Sequence, residues 1–271
     1  MVRRTPSTGL LAALLACFVT VVLSACSSAP LAPASSPERG GSGATPKLGA
    51  CYVLTPEDTA APTSTVPAVP CTQPHTSETF AIGTLPASTG SGYRDKAHGR
   101  WVYTTCEKAF EKFLALDESR ALRVTLSWAW FRPSEDDWKD GTRWYRCDVV
   151  GGTAEATSYE RLPRTARGLF RAKPPEQWSL CAQGPSVLAS EKLPCTRPHD
   201  WRAVTTVKLG APKAAYPGDR LVQVQSRDFC SDSVGAWMNY PVDYEFGYTW
   251  FHEAEWKAGN RRAICWAKTD R

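Results

Sequence analysis

The chain contains no Gly-rich phosphate loop, no Gly-x-Ser-x-Gly elbow and no pair of carboxylates that recurs along its length. Nucleotide-dependent catalysis, serine hydrolysis on a strand-to-helix elbow and two-carboxylate acid/base chemistry therefore lose their usual sequence supports. This weakens an enzymatic reading without closing it. Charge of one sign is missing too: the formal net charge is +5, removal of Arg3 and Arg4 leaves +3, and acids and bases are interspersed. That balance is too weak and too scattered for a nucleic-acid surface, so no nucleic-acid partner is expected. Neither half holds a Cys-x-x-Cys knuckle to bring two thiolates onto one zinc ion, and neither a metal nor another cofactor is expected.

What is present begins with an export signal. Arg3 and Arg4 precede an uncharged apolar stretch from 9 to 23, and Leu23-Ser24-Ala25-Cys26 follows. The tetrapeptide resembles the bacterial lipobox, so residues 1–25 read as a lipoprotein signal peptide and the thiol of Cys26 as the lipid attachment site. The rival is an uncleaved anchor, because the apolar run approaches the lower limit of roughly 17 residues for spanning a bilayer. Both readings put the remainder outside the cytoplasm, and lipidation implies anchoring to the outer face of the cell membrane. Residues 26–47 are mostly Ser, Ala, Pro and Gly, with only Glu38, Arg39 and Lys47 charged. Such a stretch buries too little apolar surface to offset backbone ordering and reads as a flexible tether.

Of the ten cysteines, Cys17 leaves with the signal and Cys26 takes lipid, so eight remain. An even number in an exported chain implies disulfides. The eight fall into two copies of one pattern. Val69-Pro70-Cys71-Thr72-Gln73-Pro74-His75 matches Leu193-Pro194-Cys195-Thr196-Arg197-Pro198-His199, and at the same offset Cys106 meets Cys230. Further on, Trp138-Lys139-x-Gly141-x-Arg143-x-x-x-Cys147 matches Trp256-Lys257-x-Gly259-x-Arg261-x-x-x-Cys265, while Cys51 and Cys181 complete the set. The chain is an internal duplication: repeat domain 1 over 48–150, a linker over 151–178 whose Arg161, Arg164, Arg167, Arg171 and Lys173 suggest a solvated basic stretch, and repeat domain 2 over 179–271.

Patterning gives the same elements in each copy. A strand is expected over 79–85 and 203–209, a helix over 95–116 and 220–238, and two closing strands over 122–131 and 143–150 or 244–251 and 261–268. Cys106, Phe110 and Phe113 recur at i, i+4 and i+7, as do Cys230, Val234 and Trp237, which puts each helical cysteine on the core face. The fold class is α+β: two tandem small disulfide-stapled domains, each one helix packed on a small, mainly antiparallel sheet. Four cysteines admit three pairings per copy. The preferred one joins Cys51 to Cys71, Cys106 to Cys147, Cys181 to Cys195 and Cys230 to Cys265, so that a long-loop bond worth about 4 kcal/mol staples each helix to its last strand.

The Cys-Thr-x-Pro-His turn, the helical cysteine and the Trp-x-x-Gly-x-Arg-x-x-x-Cys ending resemble the septum-formation-related domain of actinobacterial exported and membrane proteins, in both copies. The resemblance implies a division or envelope setting and brings no catalytic residues with it.

His75 and His199 are the most tempting binding residues, with Glu78 and Asp200 close by; a histidine-carboxylate pair would suit acid/base work, and the alternative is an imidazole that fixes the turn. His98 and His252 have no counterpart in the opposite copy and are expected at the surface. Arg143 and Arg261 could hold an anionic polymer or a partner carboxylate, against a packing role on Trp138 and Trp256 with Asp136 and Glu255 as companion acids. Trp128 and Trp130 share a strand face suited to core packing or sugar stacking. The expected function is a non-enzymatic cell-envelope lipoprotein, a tandem of binding or scaffolding modules linked to septum formation or wall processes. Its partners would be the membrane, through the lipid, and an envelope protein or cell-wall polymer. The alternative is an extracytoplasmic hydrolase or other enzyme using His75 or His199.

Overall fold

An eight-residue strand paired with a seven-residue one forms the centre of the first copy, and the second copy repeats that pairing with strands of the same lengths. The computed structural model describes residues 45–269; the expected signal peptide, Cys26 and nearly all of the tether lie outside the described residues. In order come β1 (Cys51–Tyr52), α1 (Pro56–Ala60), β2 (Ser77–Thr84), α2 (Lys96–Leu114), α3 (Glu118–Ala121), β3 (Ser127–Phe131), α4 (Glu135–Lys139) and β4 (Trp144–Val150). The second copy continues with β5 (Leu180–Gln183), β6 (Glu191–Pro194), β7 (Trp201–Lys208), α5 (Asp219–Trp237), β8 (Phe246–Thr249), α6 (Glu253–Ala258) and β9 (Arg262–Lys268). The sheets are ordered β1-β2-β4-β3 and β6-β5-β7-β9-β8, antiparallel throughout. Without β6 the two orders are identical. Register agrees as well: Cys51 faces Glu78 where Cys181 faces Arg202, and the central ladders slip at Thr79/Ala81 and at Ala203/Thr205. The α+β duplication is thus present strand for strand.

Each long helix covers one face of its sheet because its apolar residues return every three or four positions. On α2 these are Val102, Cys106, Phe110 and Phe113, all buried, and Phe80 of β2 meets Phe110 and Phe113 at ring distances of 5.9 and 5.7 Å. His98 starts this stripe. It is fully buried, its Nε2 lies 3.2 Å from the Gly90 carbonyl, and its ring is 5.1 Å from that of Trp138, so the expected surface position is wrong. The spacing 98, 102, 106 carried that information. On α5, Cys230 and Val234 are buried but Trp237 is 51% exposed, which corrects its placement on the core face.

The reason for that difference lies in the segment joining the copies. Residues 151–178, read as a linker with a solvated basic stretch, fold back over the first copy and bury Leu162, Ala166 and Phe170 in its core. The N–H groups of Gly168 and Phe170 donate to the Phe113 and Leu114 carbonyls, which the end of α2 leaves without helical partners. Glu78 holds the same segment through the Ala166 N–H (2.7 Å) and the Thr165 hydroxyl (2.9 Å). Phe113 is sealed in this way, whereas its counterpart Trp237 is left open. The basic residues of the segment remain outward-facing around apolar anchors that were too widely spaced to be read as periodic.

Short helices α4 and α6 connect the two closing strands of each copy. Their tryptophans are buried, with indole N–H groups donating to the Ser91 (2.9 Å) and Ala214 (2.8 Å) carbonyls. Gly141 and Gly259 follow at φ +92° and +123°, a conformation that favours glycine.

The two copies fill the other face of their sheets differently. In the first, Arg146 and Asp148 are buried side by side, the guanidinium 4.3 Å from the Tyr52 ring and 4.5 Å from the Phe131 ring. Arg146 Nε lies 3.0 Å from Asp148 Oδ2 without the alignment of a hydrogen bond, and the Thr79 hydroxyl donates to Oδ1 at 2.7 Å. Burial pushes the Asp148 carboxyl up to about 6 against the opposing pull of Arg146. At the matching positions the second copy has Ile264 and Trp266, both buried. An apolar solution to the same site therefore exists within the chain.

Four disulfides close the framework: Cys51–Cys71, Cys106–Cys147, Cys181–Cys195 and Cys230–Cys265, spanning 20, 41, 14 and 35 residues. Replacing Cys106 and Cys147 by Ala should lower unfolding stability by about 4 kcal/mol, and replacing Cys181 and Cys195 by about 3 kcal/mol, the order set by loop length; denaturant titration measures both. Arg146→Ile alone should cost about 3–5 kcal/mol at neutral pH because Asp148 is left as a buried, uncompensated charge. Asp148 then has a folded pKa raised further above its unfolded value. The stability it allows is full below about pH 4 and lost as pH rises through the folded value, so the deficit should shrink on acidification in unfolding curves taken from pH 7 down to 4.

Candidate functional site

The two Cys-Thr-x-Pro-His turns have the same geometry. Gln73 and Arg197 each donate a backbone N–H to the proline carbonyl three residues earlier, and the histidine Nδ1 lies 2.8 Å from the carbonyl of Gln73 or Arg197. A carbonyl only accepts, so Nδ1 carries the hydrogen and the ring is locked to its own turn. His75 is 2% exposed and His199 5%, and Nε2 of each has no hydrogen-bond partner.

The carboxylates do not complete a dyad. Glu78 is engaged by residues 165 and 166, and Asp200 Oδ2 accepts the Gly184 N–H at 2.7 Å. The acid/base pair expected from sequence is therefore not assembled at either turn. Sulfurs of Cys181 and Cys195 and a ring nitrogen of His199 lie within 4.8 Å of one another. In the disulfide those sulfurs are joined to each other, and a metal ligand has to be a thiolate.

Arg143 and Arg261 lie over Trp138 and Trp256, at 4.0 and 5.4 Å from the ring centres. Each donates to local carbonyls, Trp138 and Thr142 for the first and Gly259 for the second. Their expected acid companions are employed elsewhere, Asp136 on Lys139 at 2.9 Å and Glu255 on the His252 backbone N–H. Trp128 and Trp130 are half-buried against the core of the first copy, and Trp128 meets Tyr103 at 5.5 Å.

The residues that converge on open space are others. Where the copies meet, Thr125 donates its backbone N–H to Trp178, and Leu180 donates to Arg123. Arg123 reaches across, its Nη1 donating to the Val204 carbonyl at 2.9 Å and its Nε to Ser119 at 3.2 Å, while Thr206 and Ser119 share a hydroxyl contact of 2.7 Å. Beside this seam lies a cleft of about 570 Å³. Arg120, Arg123, Lys173 and Arg202 line it, with Glu176 as the one acid. Glu176 is gripped by Arg202 in a two-point contact at 2.7 and 2.9 Å. Burial lowers the Arg123 pKa, Asp117 draws it back up, and the neighbouring Arg120 and Arg202 press it down again. Leu116, Val124, Val204 and the open face of Trp237 supply an apolar wall.

Of the four residues singled out from sequence as binding candidates, His199 alone is on this lining; His75, Arg143 and Arg261 are not. No motif marks the cleft, because its cations come from α3 and the turn after it, the joining segment and β7. A partial signal was available in Arg202, which lies beside the Trp201 that opens a strand with buried apolar positions.

A second titratable group lies on α2. Burial, reinforced by Glu111 and Glu118, pushes Glu107 up to about 7, and Tyr103 beside it up to about 12 through burial and the Glu107 charge. No metal-ligand cluster accompanies them among the described residues.

Four disulfides belong to an oxidising compartment, so the folded part is extracytoplasmic. Among the described residues no helix is long and apolar enough to cross a membrane. No curated protein and no solved structure matches the chain. A family model described as septum formation matches it over residues 15–132 and again over 49–265. Two overlapping matches fit the duplicated arrangement of cysteines, sheets and turns, and together they run over nearly the whole sequence: the chain belongs to the septum-formation family.

Proposed function

We propose that the protein is a non-enzymatic binding or scaffolding module of the cell envelope, anchored to the outer face of the cell membrane by lipid on Cys26 and serving septum formation. The observation that carries this reading is the cation-lined cleft at the seam, built by both copies at once and accompanied by no assembled catalytic dyad. Family membership supplies the septum-related envelope setting. A duplicated domain suits this role because the fused copies create a shared surface that neither has alone. Its partner is an envelope protein or a wall polymer within reach of the tether.

Cells fed labelled palmitate should incorporate it into the wild-type chain and not into Cys26→Ser; equal labelling of both sinks the lipid anchor. In-cell crosslinking should capture an envelope protein or peptidoglycan, and purified protein that binds neither overturns the binding role. His75→Ala and His199→Ala should each lower the melting temperature by a few degrees, since each removes a turn-fixing hydrogen bond worth roughly 1 kcal/mol. A variant that keeps its melting temperature but loses an envelope hydrolase activity would restore the enzymatic alternative.

A further inference from the structure

We infer that the cleft between the copies is a docking site for an acidic peptide segment that carries an apolar side chain beside its carboxylate. This names a ligand chemistry for the binding role proposed above and rests on that role only for where the peptide would come from. Charge is the first ground. Four cations from three separate parts of the chain line the cleft; Glu176 pairs with Arg202 and Asp117 lies 3.7 Å from Arg120, and the cationic surplus that Arg123 and Lys173 leave favours an incoming oxyanion. The second ground is the occupant already there: Arg202 holds the Glu176 carboxylate through two parallel contacts of 2.7 and 2.9 Å, so the cleft demonstrates carboxylate recognition with a group of its own chain.

The third ground separates a peptide from other anions. A phosphodiester polymer or a bare phosphate presents oxygen on all sides and has nothing to place against Leu116, Val124, Val204 and Trp237. A peptide presents carboxylates and apolar side chains in alternation, matching guanidinium groups beside an apolar wall. It also brings backbone donors and acceptors to a lining that includes the polar side chains of Ser179 and Thr269. The volume of about 570 Å³ is in the range that takes a few side chains. Trp237 is exposed here because no segment covers it as residues 162–170 cover Phe113, leaving an aromatic anchor at the edge of the cleft.

The test is calorimetric titration of the purified full-length lipoprotein in neutral detergent. The probes are a short N-acetylated peptide of alternating Glu and Leu, the same peptide with Gln for Glu, inorganic phosphate, and phosphatidylglycerol vesicles. The Glu peptide should bind and the Gln peptide should not. Binding should weaken with added salt, and by about tenfold or more in the double variant Arg120→Glu, Lys173→Glu. Those two side chains are on the surface, so an unchanged melting temperature certifies the variant's fold; Trp237→Ala serves as an independent second variant with the same expected loss. Equal binding of the Glu and Gln peptides overturns the proposal, as does binding unaffected in both variants. Binding of phosphate or vesicles in place of the Glu peptide overturns it also, by assigning the cleft to phosphate chemistry. None of these outcomes depends on palmitate labelling at Cys26.

Discussion

The bond from each long helix to its last strand is the constraint on which the rest depends. Cys106–Cys147 and Cys230–Cys265 tie each long helix to the last strand of the central ladder of its sheet. A domain of this size buries too little apolar surface to tolerate many weak points, and cross-links that restrict the unfolded chain make up the difference. The second pair of bonds does a separate job. Cys51–Cys71 and Cys181–Cys195 pin the first strand of each copy to the Cys-Thr-x-Pro-His turn, and the histidine is folded in behind them.

Within this shared frame the copies have diverged in what fills the far side of the sheet. The first carries a guanidinium buried between the Tyr52 and Phe131 rings with a buried carboxylate beside it, and Val66 packs against that aromatic cluster. The second carries Ile264 and Trp266, with Leu122 of the first copy packed against that cluster. The polar version is specific in geometry and intolerant of losing one partner; the apolar version packs directly against Leu122 of the neighbouring copy. This asymmetry lets the second copy take the first as part of its core.

The joining segment decides where the molecule is open. By capping α2 and sealing Phe113 it removes a potential surface from the first copy, and the same chain then delivers Lys173 and Glu176 to the seam. The equivalent end of α5 is uncovered, and its Trp237 becomes part of the cleft. One strap thus closes one copy and furnishes the binding surface of the other.

Much of this is legible in the amino-acid sequence alone. The duplication, the core face of α2 at Cys106 and Phe110, the glycines at Gly141 and Gly259 and the α+β class all follow from periodicity and turn chemistry, which act over a few residues. Spacing left three disulfide pairings open in each copy, and folding settles on first with second and third with fourth. Tertiary structure alone decided the rest. His98 is buried because Trp138 returns to it from a distant helix, the carboxylates beside His75 and His199 are drawn to other backbone groups, and residues 151–178 pack because Phe170 finds a core built by residues far earlier in the chain. The cleft assembles Arg120, Arg123, Lys173 and Arg202 from both copies and the segment between them. Local pattern fixes which residues form an element; only the closing of long loops fixes which charges become neighbours.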